Sequence, residues 1–269
     1  MTRQDLFDQI KAKGTTLCVG LDTDYDKIPE CVKAANGYDK AASILAFNKA
    51  IIDATAPYCI AYKPNLAFYE AYGYEGIKVL EQTTAYIRAN HPEIFIIADA
   101  KRGDIGNTAK MYAKTFFEAM DCDAVTVSPY MGTETVTPFL QYPGKWVIVV
   151  ALSSNPTSVD FQLCEEDSKP LYQVVMEKMM AISTPDNMMF VVGATKADKL
   201  AEIRKFCPDN FFLVPGVGAQ GGSAEEVIAN GSNSMCGVII NSSRGVLYAS
   251  KGEDFAEAAA KAAAATARV

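Results

Sequence analysis

Asp22, Lys63, Asp99 and Lys101 alternate in sign, and each stands where a run of apolar residues ends. Asp99 and Lys101 are two apart, so on an extended strand both point to the same side and become neighbours. Asp104 follows three residues later. Carboxylates flanking a lysine favour its protonated form and raise its pKa, whereas a Schiff-base lysine needs its pKa lowered. The set therefore points away from class I aldolase chemistry. A fixed ammonium can instead donate a proton to a developing carbanion and stabilise its charge. Asp22, Asp99 and Asp104 have the ligand type of a metal site, but the two lysines already supply the cations such a cluster needs, so no metal is expected.

A second constellation lies late in the chain. The run Pro215-Gly-Val-Gly-Ala-Gln220-Gly-Gly222 lets backbone N–H groups approach an anion and leads into a helix N-terminus. Asn241-Ser-Ser-Arg244-Gly245 adds a guanidinium suited to bidentate phosphate binding. Together they predict a bound phosphomonoester. Ser153-Ser154-Asn155-Pro156 adds hydroxyl donors suited to an amide-bearing ring, or serves only as a turn and helix cap.

Eight short runs rich in Val, Ile and Phe must position these groups: 15–22, 59–64, 94–101, 124–128, 146–152, 188–193, 211–215 and 237–241. Amphipathic helical patterns alternate with them, within 38–56 and over 74–90, 108–120, 134–140, 171–182, 196–206, 224–230 and 255–267. Eight strand–helix repeats in 269 residues, with no GxGxxG after the first strand, predict an α/β fold closed as a (β/α)8 TIM barrel. No linker or low-complexity stretch divides the chain, so residues 1–269 read as one catalytic domain. In this fold active sites lie at the C-terminal ends of the strands, and phosphate sites commonly form after strands seven and eight. The long connections at 23–37 and 155–169 lie at the same end, where a covering role would suit them; the 216–222 loop is a further lid candidate.

A net charge of -7 argues against nucleic acid or an anionic membrane as the main partner. No apolar run reaches the ~20 residues that span a bilayer, and residues 1–13 form a charged amphipathic stretch without a signal-peptide core. A cytoplasmic location is expected. Seven scattered cysteines, none in a CxxC pair, read as buried thiols. His91 is the single histidine, which excludes a multi-histidine metal site, and its place before Pro92 suits a helix end.

The run Asp99-Ala-Lys101-Arg-Gly-Asp104-Ile resembles the DxKxxDI motif of the orotidine 5′-phosphate decarboxylase family. Gly20-Leu-Asp22, Lys63-Pro-Asn, Pro215 to Gly222 and Arg244-Gly245 match in order and spacing over nearly the whole chain, and the Ala-Lys-Arg-Gly interior is similar to the larger bacterial subgroup. The resemblance implies decarboxylation of orotidine 5′-monophosphate (OMP) to uridine 5′-monophosphate (UMP) without a cofactor, in pyrimidine biosynthesis. It implies Lys101 as proton donor to C6, Asp99 against the departing carboxylate, and Lys63 and Asp22 holding the ribose. Gln220, Arg244 and the Gly245 amide would bind phosphate, with Ser154, or its neighbour Ser153, on the pyrimidine amide. Members of the family are homodimers, so Asp104 and Thr108 would reach into the partner's site. Two other readings remain open. Ketose-phosphate synthases and decarboxylases of similar fold share an Asp-Lys-Asp motif and generally use magnesium; an inactive barrel that only binds a phosphate ligand would keep the same residues.

Overall fold

The apolar runs form parallel strands because branched and aromatic residues dominate them and both faces of each strand are covered. The computed structural model describes residues 1–217, 222–266 and 268. Its strands are β1 (Leu17–Gly20), β2 (Ala61–Lys63), β3 (Phe95–Arg102), β4 (Ala124–Val127), β5 (Trp146–Leu152), β6 (Met188–Val192), β7 (Phe211–Val214) and β8 (Val238–Ser242). Each pairs in parallel with its neighbours, and β1 pairs with both β2 and β8, which closes the barrel as expected.

Eight helices longer than one or two turns accompany them among the described residues: α1 (Arg3–Lys13), α2 (Lys40–Thr55), α3 (Gly73–Asn90), α4 (Gly106–Lys114), α5 (Leu171–Met180), α6 (Ala197–Phe206), α7 (Ala224–Gly231) and α8 (Phe255–Ala265). Seven of these follow strands and form the outer layer; α8 packs on α2 to complete the ring. The helix expected at 134–140 is absent. Two 3-10 turns, Thr133–Thr135 and Phe139–Gln141, stand there instead. Pro138 supplies no N–H and biases Thr137 away from the α region, so a continuous helix cannot cross it. The pattern at 108–120 starts earlier, at Gly106, and its last turn, Thr115–Ala119, is π-helical.

Helix α1 is an addition to the repeats. Thr2 and Asp5 form a capping box at its start, and Gly14, with φ of 61°, ends it in the left-handed conformation. Leu6 and Ile10 are fully buried against Phe95, Trp146 and Phe211, the first residues of three strands. The helix thus seals the N-terminal end of the barrel. Trp146 fastens it by donating its indole N–H to the carbonyl of Met1 at 2.9 Å.

The long connections carry structure of their own. The first holds a 3-10 turn, Tyr25–Lys27, and a short helix, Glu30–Ala35; the second holds a turn, Pro156–Asp160, and an antiparallel pair between Glu165–Glu166 and Lys169–Pro170. All seven cysteines are free thiols. His91 caps α3, with Nε2 3.4 Å from Asp53. Among the described residues no helix is long and apolar enough to cross a membrane.

Because α1 closes the barrel floor with two side chains, Ile10→Ala should lower unfolding free energy by about 2–5 kcal/mol. Urea denaturation would measure it. A change below about 1 kcal/mol, the usual scale of a surface substitution, would mean that α1 does not seal the interior.

Candidate active site

The barrel interior is apolar up to one level and charged above it. Ala61, Ile97, Ala124 and Ile239 belong to the interior cluster. Two residues further along the same strands, on the same face, stand Lys63, Asp99, Thr126 and Asn241. All four are buried, with exposures of 4%, 8%, 1% and 8%. A charge at such depth must be paired.

Lys63 Nζ donates to Asp99 Oδ2 at 2.8 Å and lies 4.0 Å from Asp22 Oδ1. Lys101 Nζ meets Asp99 Oδ1 at 2.5 Å. The four residues expected from sequence therefore form one network, Asp22–Lys63–Asp99–Lys101. Burial alone would depress the pKa of Lys63, but the Asp99 and Asp22 carboxylates outweigh it and hold that pKa above the ordinary lysine range. Burial alone would raise Asp99; the ammonium groups of Lys63 and Lys101 instead hold it well below the usual carboxylate range.

Lys101 reaches Asp99 by a route that strict alternation does not describe. The β3–β4 register runs Ile97–Ala124 and Ala98–Val125, then jumps to Arg102–Val127. Asp99, Ala100 and Lys101 occupy the bulge, and Lys101 has φ of 46°, a left-handed conformation unusual for a non-glycine residue. Its side chain is half exposed, while Asp99 stays buried. Thr126 Oγ1 fills the gap, accepting from the Lys101 N–H at 2.9 Å and donating to Asp99 Oδ1 at 3.0 Å. Asp99 is also held through its backbone: its N–H donates to Pro64 at 3.0 Å and its carbonyl accepts from Leu66 at 3.2 Å.

Asp22 lies just beyond β1, on a segment pinned from outside the barrel. Tyr69 donates its hydroxyl to the Leu21 carbonyl at 2.9 Å. Tyr248 donates to the Asp22 carbonyl at 3.2 Å and accepts from the Asp24 N–H at 2.8 Å. Thr23 donates to Asn48 Oδ1 at 2.6 Å, and Asn48 Nδ2 donates to Tyr69 and Thr83 at 3.0 and 3.1 Å. With its backbone fixed, Asp22 keeps Oδ1 buried and without a hydrogen-bond partner among the described residues. Such an atom suits a ligand hydroxyl.

Asp22, Lys63, Asn65, Asp99, Asn241 and Arg244 line one pocket of about 220 Å³, together with Pro215 to Val217 of the glycine-rich run. Arg244 is exposed and opens a short helix, Arg244–Leu247, whose second residue is Gly245. Ser243 packs so closely on Gly20 that a Cβ there would lie 1.9 Å from its Oγ, so β1 and the segment after β8 can meet only at a glycine. A larger cleft of about 450 Å³, beside Lys13, Pro57 and Arg268, opens at the start of β1, at the opposite end of the barrel.

The remaining expected residues are distributed more widely. Ser153 spends its hydroxyl within its own loop, donating to Asn155 at 2.7 Å and meeting Gln162. Ser154 lies against Gly193, where a Cβ would stand 2.7 Å from its backbone N. Asp104 accepts from the Ile105 N–H at 2.7 Å and has no ion-pair partner among the described residues. Thr108 is exposed on the first turn of α4. Neither lines the pocket. Gln220 lies outside the described residues.

Sequence reasoning missed Thr126, Asn241 and the Asn48–Tyr69–Tyr248 group. Asn48 carries a signal, an amide beside Phe47 and Ile51 on the buried helix face. Thr126 carries none, because threonine is an ordinary strand residue.

A model of the orotidine 5′-phosphate decarboxylase / HUMPS family matches residues 15–261. The chain is similar to a Phocaeicola vulgatus protein named orotidine 5′-phosphate decarboxylase, at 57% identity over 264 residues, 98% of this chain and 95% of the relative. A Parabacteroides distasonis protein of the same name is 54% identical over 264 residues, covering 98% and 92%. Among solved structures, OMP decarboxylase of Leishmania donovani aligns with a TM-score of 0.81 and 36% identity, over 97% of this chain and 96% of that one.

Asp99→Asn would leave Lys63 buried with only the more distant Asp22, so a stability loss of about 3–5 kcal/mol is expected near pH 7. Asp99 has a depressed folded pKa. Its contribution is full above its unfolded value, near ~3.9, and is lost as pH falls through the folded value. The gap between wild type and Asp99→Asn should therefore narrow below about pH 4. Urea midpoints across the acid range would read this directly, and a gap independent of pH would exclude a stabilising, ionised Asp99.

Proposed function

Because this chain belongs to the orotidine 5′-phosphate decarboxylase / HUMPS family, we propose that it is a carboxy-lyase converting OMP to UMP and CO2. The observation that carries the reading is the Asp22–Lys63–Asp99–Lys101 network, whose first three members line one pocket with Arg244. The C6–carboxylate bond breaks and leaves its electron pair on C6. The Lys101 ammonium delivers a proton to that carbon and recovers one from solvent. Asp99 pairs with the Lys101 ammonium and lies against the departing carboxylate.

Lys63 and Asp22 Oδ1, which accepts no hydrogen bond among the described residues, suit the ribose hydroxyls, one as donor and the other as acceptor. Arg244, the Gly245 amide and Gln220 would hold the phosphate, distant from the reacting carbon, so that binding energy positions the ring. Ser154, or its neighbour Ser153, would contact the pyrimidine amide, as the family resemblance implies. A magnesium-dependent synthase reading is weaker on the donor set: Lys63 Nζ already fills the space between Asp99 and Asp22 where such an ion would bind.

The working form is a homodimer in which Asp104 and Thr108 enter the partner's site. Support comes from exposed apolar side chains nearby in the fold, Ile105 and Met111 around α4 and Tyr130 and Met131 after β4. The net charge of -7 suits a cytoplasmic enzyme acting on a small anion rather than on nucleic acid.

With OMP in chelator, loss of orotate-ring absorbance is expected for the unmodified protein, and Lys101→Ala should lose at least about 10²- to 10⁴-fold in kcat while retaining UMP binding. Normal activity in that variant would remove Lys101 from the reaction; turnover only with magnesium and a sugar phosphate would favour the synthase. Mixing inactive Asp104→Asn and Lys101→Ala chains should restore part of the activity in hybrid dimers. No recovery despite subunit exchange would count against shared sites.

A further inference from the structure

Resting on the decarboxylase reading and deepening it, we propose that Thr126 is a positioning residue whose hydroxyl sets the Lys101 ammonium relative to the Asp99 carboxylate. The β3 bulge removes Asp99, Ala100 and Lys101 from the regular ladder with β4, and backbone pairing resumes where the Ser128 N–H donates to Arg102 at 2.7 Å. The Lys101 N–H lies inside that gap. It finds a side chain rather than a carbonyl, Thr126 Oγ1 at 2.9 Å.

The direction of both hydrogen bonds at Thr126 follows from chemistry. A backbone N–H can only donate and an ionised carboxylate can only accept, so the hydroxyl accepts from Lys101 and spends its single proton on Asp99 Oδ1. That oxygen is the one Lys101 Nζ meets at 2.5 Å. One hydroxyl therefore ties the main chain of the proton donor to the carboxylate that orients it.

Thr126 is 1% exposed, branched at Cβ and on a strand whose register with β5 is regular, Thr126 facing Ile148. Its χ1 is restricted by its own branching, so the hydroxyl does not wander. Lys101, half exposed and with φ of 46°, has a long flexible side chain and a strained backbone. The rigid neighbour can supply the order that the proton donor lacks. Thr126 is buried and its hydroxyl is taken up by the Lys101 N–H and Asp99 Oδ1, which separates positioning from substrate contact.

The test compares Thr126→Val, which keeps the shape and removes the hydroxyl, with Thr126→Ser, which keeps the hydroxyl and removes the methyl. Steady-state kinetics with OMP, UMP binding and thermal unfolding are measured on each full-length protein. Thr126→Val should lose about 10- to 100-fold in kcat, the scale of a misplaced reacting group, with KM and UMP affinity little changed; Thr126→Ser should keep most of the activity. Wild-type kcat in Thr126→Val overturns the proposal, as does equal impairment in Thr126→Ser or a loss expressed in KM. Should Thr126→Val fail to fold, Thr126→Ala, which also removes the hydroxyl and with it both hydrogen bonds, serves in its place with the same outcomes. An unmodified protein with no turnover of OMP would overturn the decarboxylase reading and this proposal with it; a normal Thr126→Val beside an active wild type overturns the proposal alone.

Discussion

The ammonium of Lys63 is buried at the centre of a closed barrel, and a charge in that position is tolerable only with a partner that is itself fixed. Asp99 is that partner at 2.8 Å, and Lys101 and Thr126 complete its shell of donors. Removing any one group leaves another charge or polar atom exposed to a medium that solvates it poorly. The buried pair of Lys63 and Asp99 is consequently held for the same reason that it is costly, and order at charged groups is what electrostatic catalysis requires.

The rest of the barrel supplies the conditions for that arrangement. Below the charged level, Ala61, Ile97, Ala124 and Ile239 and the side chains of α1 exclude water from the interior. Outside it, Tyr69 and Tyr248 satisfy the backbone around Asp22, a stretch that leaves the sheet and would otherwise hold unpaired polar groups, and Asn48 holds the Thr23 and Tyr69 hydroxyls. The Asp22 carboxylate therefore need not serve as structural glue, and one of its oxygens stays available to a ligand. Restraint from the helix layer and freedom at the pocket are two aspects of one set of hydrogen bonds.

The network of charges and the segments that hold the glycine-rich run and Arg244 divide the barrel. β1 to β4 carry Asp22, Lys63, Asp99, Lys101 and Thr126; the segments after β7 and β8 carry the glycine-rich run and Arg244. The halves meet where β1 pairs with β8 and where Ser243 packs on Gly20. A phosphate ester spanning that seam would have its reacting ring over the charged half and its phosphate over the other. This separation lets binding at one end orient chemistry at the other.

Sequence alone determined the barrel, its eight strands and the identity of the four charged residues, because hydrophobic period, strand ends and side-chain charge are local properties. Asp22, Lys63, Asp99 and Lys101 were legible as isolated charges closing apolar runs, and Arg244 as a cation after the last strand. Pro138 shows where a local pattern misled, since the apolar spacing of 134–140 outvoted a single breaker. Tertiary structure alone decided that Lys101 reaches Asp99 through a bulge, that Thr126 rather than a carbonyl receives its N–H, and that tyrosines from two different segments fix the backbone around Asp22. These are contacts between residues distant in the chain, and which donor faces which acceptor depends on strand register and barrel closure, quantities no local pattern encodes.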